Sequence, residues 1–155
     1  MRLDRTTARV LPVSPDDRVL LLQDQDPARP GVLRWGTIGG GVDPGETLVQ
    51  AAVREMFEET GIVIEPGLLN GPVHEDSRPF SYGGVDYLGH SVFFAVPLAA
   101  DTPVSFEHLE PVEVGIVVAA RWWAPHDLAS AGGMIADDLP DIMRAGIRAV
   151  RGGEA

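Results

Sequence analysis

The feature that most constrains this chain is a glycine-rich segment that leads directly into a predicted helix bearing clustered acidic residues. Residues 40–46 read GGVDPGE, and after seven further residues the chain continues as REMFEETGI over residues 54–62. Thr47 is a favourable N-cap and Gly61 a favourable stop, so the pattern predicts a helix between them. The glycines before the helix permit sharp turns and a close approach of the backbone to a ligand.

The predicted helix has one apolar side. On a wheel of about 3.6 residues per turn, Val49, Ala52, Val53 and Met56 share that side, with Phe57 at its border. An apolar side of this width is typical of a helix that packs on a sheet. We therefore expect this side to be buried and the rest of the helix to be open.

Three glutamates of the same helix, Glu55, Glu58 and Glu59, fall within about one turn of each other. We expect them roughly opposite Val53 and Met56, and hence open to a cleft. Carboxylate oxygens suit hard cations such as Mg²⁺ or Mn²⁺, which also bind phosphate oxygens. The alternative is an ordinary solvated acidic face, and the fixed spacing to the glycine segment favours a metal site over it.

Residues 40–62 resemble the signature of the Nudix hydrolase superfamily. The match includes the seven fixed letters of that signature and both of its aliphatic positions; these residues are Gly40, Glu46, Arg54, Glu55, Glu58, Glu59 and Gly61, with Met56 and Ile62. The resemblance implies a fold of the α/β class, an α/β/α sandwich with a mixed β-sheet between helices. The length of 155 residues independently predicts a single domain over residues 1–155.

The resemblance assigns metal ligands and a reaction to the chain. It implies that Glu55, Glu58 and Glu59 bind Mg²⁺ or Mn²⁺, with the backbone carbonyl of Gly39 as a further ligand. Metal-activated water would then cleave a pyrophosphate bond in a nucleoside diphosphate linked to another moiety, without a covalent intermediate.

Four other residues of the segment are implied to act with the ligands or to support them. Arg54 would hold the carboxylates through charge-assisted hydrogen bonds, and Glu46 would brace the loop. Gly40 and Gly61 belong to the same supporting frame. Ile38 departs from the family pattern, because many members have proline at this position.

The proton acceptor for the attacking water is not identified by the signature. It could be a carboxylate of the helix or one from a distal loop that carries Glu107, Glu110 and Glu113. Glu113 is the preferred distal candidate because it adjoins the strand predicted from Val114. The alternative for each is a solvated loop residue.

The residues that determine substrate specificity lie outside the signature. Arg34 and Arg78 are candidates for phosphate binding, and Tyr82 is a candidate for base stacking. Other aromatic candidates are Trp35, Phe80 and Tyr87. Packing within a sheet is the alternative for the aromatics, and a solvated surface charge is the alternative for each arginine.

Apolar stretches around the acidic helix predict the remaining elements. The order of strands, helix, strands and helix indicates a mixed sheet between helices rather than repeated βαβ units. Predicted strands cover residues 7–13, 18–23, 33–35, 62–64, 72–81, 85–97 and 114–123, and further helices are predicted from residue 125 and over residues 140–150.

Composition limits the classes of function. A net charge of −11 opposes binding to a nucleic-acid polymer and favours cations. The absence of cysteine excludes thiolate zinc sites and thiol catalysis. Residues 1–9 lack the apolar core of a signal peptide, and no apolar run approaches the roughly 20 residues of a membrane span.

We therefore expect a cytoplasmic protein that binds a small-molecule nucleotide or pyrophosphate and no membrane; the resemblance is compatible with a homodimer. The leading hypothesis for its function is metal-dependent hydrolysis. A second hypothesis is a catalytically silent nucleotide-sensing or interaction module on the same fold. The two differ in one observation, because a silent module would be stabilised by nucleotides without hydrolysing them.

Overall fold

The computed structural model describes residues 2–152, which contain seven strands and three α-helices. The strands are β1 (Arg2–Val13), β2 (Val19–Gln25), β3 (Leu33–Gly36), β4 (Ile38–Gly41), β5 (Asn70–Tyr82), β6 (Val85–Pro97) and β7 (Val117–Trp123). The helices are α1 (Leu48–Thr60), α2 (Pro125–Ala131) and α3 (Leu139–Gly152). Among these residues, no helix is both long and apolar enough to cross a membrane.

Strand β1 joins the two halves of a mixed sheet. It runs parallel to β6 along its whole length and antiparallel to β4 and to the start of β2. Strand β5 pairs with β6 at one edge, while β3 and β7 both pair with β2. Both directions of pairing therefore occur in one sheet, as the order of elements in the sequence predicts.

Alternation along the central strands buries both faces of the sheet. Val10, Leu20 and Phe94 pack in a core with α1, whereas their chain neighbours Leu11 and Leu21 pack in a second core with α2 and α3. Successive side chains of a strand point to opposite faces, so each strand contributes to both cores. The result is an α/β/α sandwich, which confirms the predicted fold class.

Helix α1 begins and ends where its capping residues predict. The side chain of Thr47 accepts a hydrogen bond from the backbone N–H of Gln50, and the Gln50 side chain caps the Thr47 backbone in return. Gly61 ends the helix in the left-handed conformation, with φ of 73°, and donates to the Phe57 carbonyl. This reciprocal cap fixes the start of the helix immediately after the glycine-rich segment.

Two of the predicted strand segments are wrong. Residues 62–64 pair with no strand among the described residues; Ile62 and Ile64 are buried, whereas Val63 is 75% exposed. Residues 115 and 116 form a turn, because Gly115 has a φ of 83° and interrupts the extended backbone between Val114 and β7. At residues 62–64 the alternation of apolar residues therefore reports burial rather than strand pairing, whereas at residues 114–116 Val114 is 67% exposed and the alternation reports neither.

The glycines at 39–41 form part of strand β4 and not the loop that their composition predicts. Gly39 pairs with Arg9, and Ile38 is fully buried opposite Val10. At Gly39 the backbone has a φ of 143°, and an added Cβ would lie 2.2 Å from the carbonyl oxygen of Ala8. Glycine is therefore required there for strand pairing.

We predict that the core on the α1 side sets the stability of the fold. Leu20→Ala should lower the free energy of unfolding by about 2–5 kcal/mol, because Leu20 is 1% exposed and its loss leaves a cavity. Leu68→Ala, at a residue that is 52% exposed, is the matched control and should change it by less than about 0.5 kcal/mol. Urea denaturation measures both. Equal losses in the two variants would contradict this assignment of the core.

Candidate active site

Helix α1 approaches strand β4 along the face that carries Glu55 and Glu59. The Glu59 Oε1 atom accepts a hydrogen bond of 2.7 Å from the backbone N–H of Gly39. At Gly40 an added Cβ would lie 2.6 Å from Glu55 Oε1, so only glycine leaves room for this carboxylate. The two glutamates are 7% and 5% exposed, respectively.

The predicted orientation of these glutamates on the helix is therefore wrong. The buried side of α1 includes Ala52 and Met56, as predicted, but also Glu55 and Glu59, while Phe57 is exposed. The reason is that α1 packs on the backbone of β4 as well as on the apolar sheet. Glycine backbone can receive a carboxylate where a side chain would exclude it.

Arg54 connects the loop before the helix to the helix carboxylates. Its guanidinium donates two parallel hydrogen bonds to Glu46, at 2.7 and 2.8 Å, and one to the carbonyl of Gly41 at 2.9 Å. Its Nη1 atom donates to Glu55 Oε1 at 3.0 Å and to Glu58 Oε1 at 3.2 Å. The Arg54 hydrogen bonds lower the pKa of Glu46 to about 2.

The distal loop brings two more carboxylates to the helix. Oxygen atoms of Glu58, Glu110 and Glu113 all lie within 4.8 Å of one another. Beyond the effect of burial, the charge of Glu113 also raises the pKa of Glu59, so these two carboxylates interact as well. Of the three distal candidates, Glu110 and Glu113 thus join the helix glutamates, whereas Glu107 is exposed and lies outside that group.

Burial and mutual repulsion favour protonation of this cluster. Burial raises the pKa of Glu55 to about 7, although Arg54 opposes the shift. Burial also raises the pKa of Glu59, and the adjacent charge of Glu113 raises it further. Carboxylates in such surroundings are stabilised as anions by a cation, because the cation offsets both the lost hydration and the repulsion.

The donors present fit a hard divalent cation. All five clustered side chains offer carboxylate oxygens, and Glu58 Oε2 is buried without a hydrogen-bond partner among the described residues. The carbonyl of Gly39 accepts one hydrogen bond, from Arg9 Nη1 at 3.1 Å, and a carbonyl oxygen has a second lone pair. The predicted ligand roles of Gly39 and the glutamates therefore remain a prediction that this chemistry supports.

Asp24 is a further candidate site residue, which the sequence alone does not identify. Its Oδ1 atom is buried without a hydrogen-bond partner among the described residues, and it lies 3.7 Å from Arg34 Nη2. Burial raises the pKa of Asp24, and the charge of Glu113 contributes to the shift. The available signal was alternation in β2, since Asp24 continues the side occupied by Leu20 and Leu22.

The residues predicted to bind substrate lie in two separate regions of the structure. Tyr82 ends β5 next to Gly83, whose N–H donates to Asp26 Oδ1 at 2.8 Å. Burial raises the pKa of the Tyr82 phenol, and the charges of Asp24 and Glu113 raise it further. Arg34 lies beside Asp24. Arg78 instead pairs with Asp76 at 2.8 Å and with Asp138 at 2.7 Å, which ties β5 to the start of α3. Phosphate binding by Arg78 stays a prediction without support from these contacts.

The remaining aromatic candidates make packing contacts within the sheet. Phe80 and Tyr87 stack across β5 and β6 with ring centroids 5.0 Å apart. Trp35 meets Trp123 edge to face at 5.4 Å. These contacts agree with the packing alternative for aromatic residues in strands.

Comparison with known proteins places the chain among proteins of one family. The family model described as the NUDIX domain matches residues 3–144. A protein of Bacillus subtilis (strain 168) with the provisional name 8-oxo-dGTP diphosphatase is 33% identical over 82 residues. That alignment covers 50% of this chain and 52% of the relative, so the match spans about half the length of each.

Solved structures share the fold at low sequence identity. The MutT protein from Methanosarcina mazei Go1 has a TM-score of 0.67 at 20% identity, covering 95% of each chain. The dihydroneopterin triphosphate pyrophosphohydrolase of E. coli has a TM-score of 0.68 at 19% identity, covering 94% of this chain and 98% of its own. A C. elegans Ap4A hydrolase in a binary complex has a TM-score of 0.60 at 21% identity, covering 91% of this chain and 93% of its own.

We predict that metal-free protein loses stability as the pH rises towards neutrality. The Glu55 carboxyl has a pKa of about 7 in the folded protein and 4.5 as its ordinary value. The folded state therefore binds more protons between these values, so this contribution is complete below about pH 4.5 and is lost as the pH approaches 7. The loss is at most about 3 kcal/mol before solvent screening.

Urea unfolding in chelator, from about pH 5 to about pH 7.5, measures this dependence. Glu55→Gln should flatten the curve, and Mg²⁺ should restore stability at the upper pH. A wild-type stability that rises through this interval would contradict the assignment.

We predict that Gly40 is needed for metal binding because of its contact with Glu55. Gly40→Ala should displace this carboxylate and weaken Mn²⁺ binding by roughly tenfold or more. Gly41→Ala is the matched control, since its Cβ would meet Arg5 at an ordinary 3.5 Å. Calorimetric titration with Mn²⁺ compares the two. Similar affinities in both variants would show that Glu55 is not held as described.

Proposed function

This chain belongs to the Nudix family, and we propose that it is a Mg²⁺- or Mn²⁺-dependent hydrolase that cleaves a pyrophosphate bond in a nucleoside diphosphate linked to another moiety. The observation that carries the proposal is the convergence of helix and distal-loop glutamates on one place. Glu55, Glu58 and Glu59 come from α1, while Glu110 and Glu113 come from a segment some 50 residues later. On an ordinary solvated helix face, the glutamates would not be expected to lie beside two further carboxylates from a distant loop.

The substrate class is supported by the names of similar proteins. Their names refer to 8-oxo-dGTP, to Ap4A and to dihydroneopterin triphosphate, each of which contains a phosphoanhydride. We take a small-molecule nucleotide of this kind as the substrate. The net charge of −11 agrees with a substrate that reaches the site with a cation rather than as a free polyanion.

In this proposal Glu55, Glu58 and Glu59 are the principal ligands of the cation. When bound, the cation would activate water and offset negative charge on the phosphates. Arg54 positions the ligands, because it holds Glu55 and Glu58 by one oxygen each and leaves their other oxygens available. Glu46 keeps Arg54 in place through its two hydrogen bonds.

We assign proton acceptance from the attacking water to Glu113. The three helix carboxylates already accept N–H donors, because the Gly39 N–H donates to Glu59 and Arg54 donates to Glu55 and Glu58. Glu113 accepts no N–H donor from the described residues, and it is only partly buried. A carboxylate with such freedom can orient towards water and pass the proton to solvent.

We predict that Glu58→Gln abolishes hydrolysis. The substitution keeps the shape of the side chain but removes a charge from the proposed ligand set, so turnover should fall by roughly 100-fold or more. Glu107→Gln is the matched control, because Glu107 is an exposed glutamate outside the cluster. The assay measures phosphate-containing products with Mg²⁺ or Mn²⁺ across nucleoside triphosphates, nucleotide sugars, ADP-ribose and dinucleoside polyphosphates.

Two outcomes would contradict the proposal. Unchanged turnover in Glu58→Gln would remove the metal site from this helix. Thermal stabilisation of the wild-type protein by nucleotides, with no hydrolysis of any substrate in the panel, would instead favour a silent nucleotide-sensing module.

A further inference from the structure

Two arginines of strand β1 lie on the sheet face opposite α1. Leu11 and Val13 of this strand pack in the core with α2 and α3, and the preceding odd-numbered residues include Arg5 and Arg9. Residues two apart in a strand share a face, so the side chains of both arginines leave the strand on the face away from α1. Arg5 pairs in register with Gly89 of β6, which offers no side-chain acceptor.

Neither arginine has a carboxylate partner within ion-pair distance in residues 2–152. The chain has no lysine, and its 12 basic residues face 23 acidic ones. Six other arginines do pair with carboxylates within 4.0 Å; these are Arg18, Arg34, Arg54, Arg78, Arg144 and Arg151. Arg5 and Arg9 are two of the six arginines without such a partner among these residues, and both lie beside strand β4.

Arg9 is held in place but keeps one donor group available. Its Nε atom donates to Thr7 Oγ1 at 3.2 Å, and its Nη1 atom donates to the carbonyls of Thr37 and Gly39 at 3.3 and 3.1 Å. Within the described chain, no protein acceptor engages Nη2. The guanidinium is thus fixed by β4, with a donor left for another molecule.

Both arginines lie against the glycine strand β4, which also receives the α1 glutamates Glu55 and Glu59. Burial lowers the pKa of Arg9, the charges of Glu59 and Glu55 raise it, and that of Arg5 lowers it. Arg5 also acts on Tyr82. Arg5 Nη2 lies 3.5 Å from the position that a Cβ atom would occupy at Gly41. The carbonyl of Gly41 in turn accepts a hydrogen bond from Arg54. Arg9 therefore lies within electrostatic range of the α1 glutamates, and Arg5 lies within range of both Arg9 and Tyr82.

We propose that Arg5 and Arg9 bind phosphate groups of the substrate beyond those held at the carboxylate cluster, so that the enzyme selects nucleoside tri- or polyphosphates over diphosphates linked to a neutral sugar. This rests on the proposed function, because the cluster must hold the scissile phosphates. A guanidinium matches phosphate oxygens with two parallel hydrogen bonds. A neutral sugar would leave both cations without a counter-charge, which disfavours that substrate.

Arg5→Gln tests the proposal, since Arg5 makes no hydrogen bond or ion pair with the described residues that its loss would disrupt. For a nucleoside triphosphate, KM should rise roughly tenfold to a hundredfold while kcat changes by less than about threefold. For UDP-glucose, kcat/KM should stay within about twofold of the wild-type value. Arg5→Lys should recover part of the loss, and Arg148→Gln, at an exposed arginine of α3, should behave as the wild type.

Binding of inorganic phosphates separates this proposal from the proposed hydrolysis. In calorimetry with Ca²⁺, wild-type protein and Arg148→Gln should bind tripolyphosphate more tightly than pyrophosphate, and Arg5→Gln should lose the difference. That result without any hydrolysis would support the phosphate site while contradicting the hydrolase. Hydrolysis of UDP-glucose as efficient as that of triphosphates, with no effect of Arg5→Gln on either, would overturn the phosphate site and leave the hydrolase standing.

Discussion

The contact between helix α1 and the backbone of strand β4 is the constraint on which the site depends. Glu59 reaches the N–H of Gly39, and Glu55 occupies the space where Gly40 has no side chain. Strand β4 itself pairs closely with β1, because Gly39 has no Cβ atom that would collide with the Ala8 carbonyl. The helix, the sheet and the acidic group are therefore positioned by the same four residues of backbone.

This contact has an electrostatic cost that the surrounding residues reduce. Burial of Glu55 and Glu59 favours their protonated forms, as their raised pKa values indicate. Arg54 offsets part of the charge and is itself fixed by Glu46, yet Glu110 and Glu113 add further carboxylates. The cluster therefore holds more carboxylates than Arg54 can pair with, and a divalent cation is the simplest group that would stabilise their charged forms. The arrangement that is unfavourable for the protein alone is thus the one suited to binding metal and phosphate.

Local signals in the sequence predicted the elements that are determined locally. Thr47 and Gly61 mark the two ends of α1 as predicted, because capping acts within one turn. Strand β6 (Val85–Pro97) matches its predicted range because the apolar alternation continues to its end. The orientation of Glu59 could not be predicted in this way, since it depends on glycine backbone 20 residues away. The contacts of Glu110 with Glu58, and of Arg78 with Asp138, join residues still further apart in the chain. Such contacts follow from tertiary packing, which periodicity does not report.

Anomalous diffraction from a crystal soaked in Mn²⁺ tests most directly whether this buried acidic group is a metal centre. We expect an anomalous peak bonded to carboxylate oxygens of Glu55, Glu58 and Glu59, at the roughly 2.0–2.6 Å typical of hard divalent cations and oxygen. His74, Asp76 and Asp138 form a second group whose ligand atoms lie within 4.8 Å of one another, but Arg78 already pairs with both of its aspartates. A manganese peak at that second group, with none beside the α1 glutamates, would contradict the assignment of the metal centre.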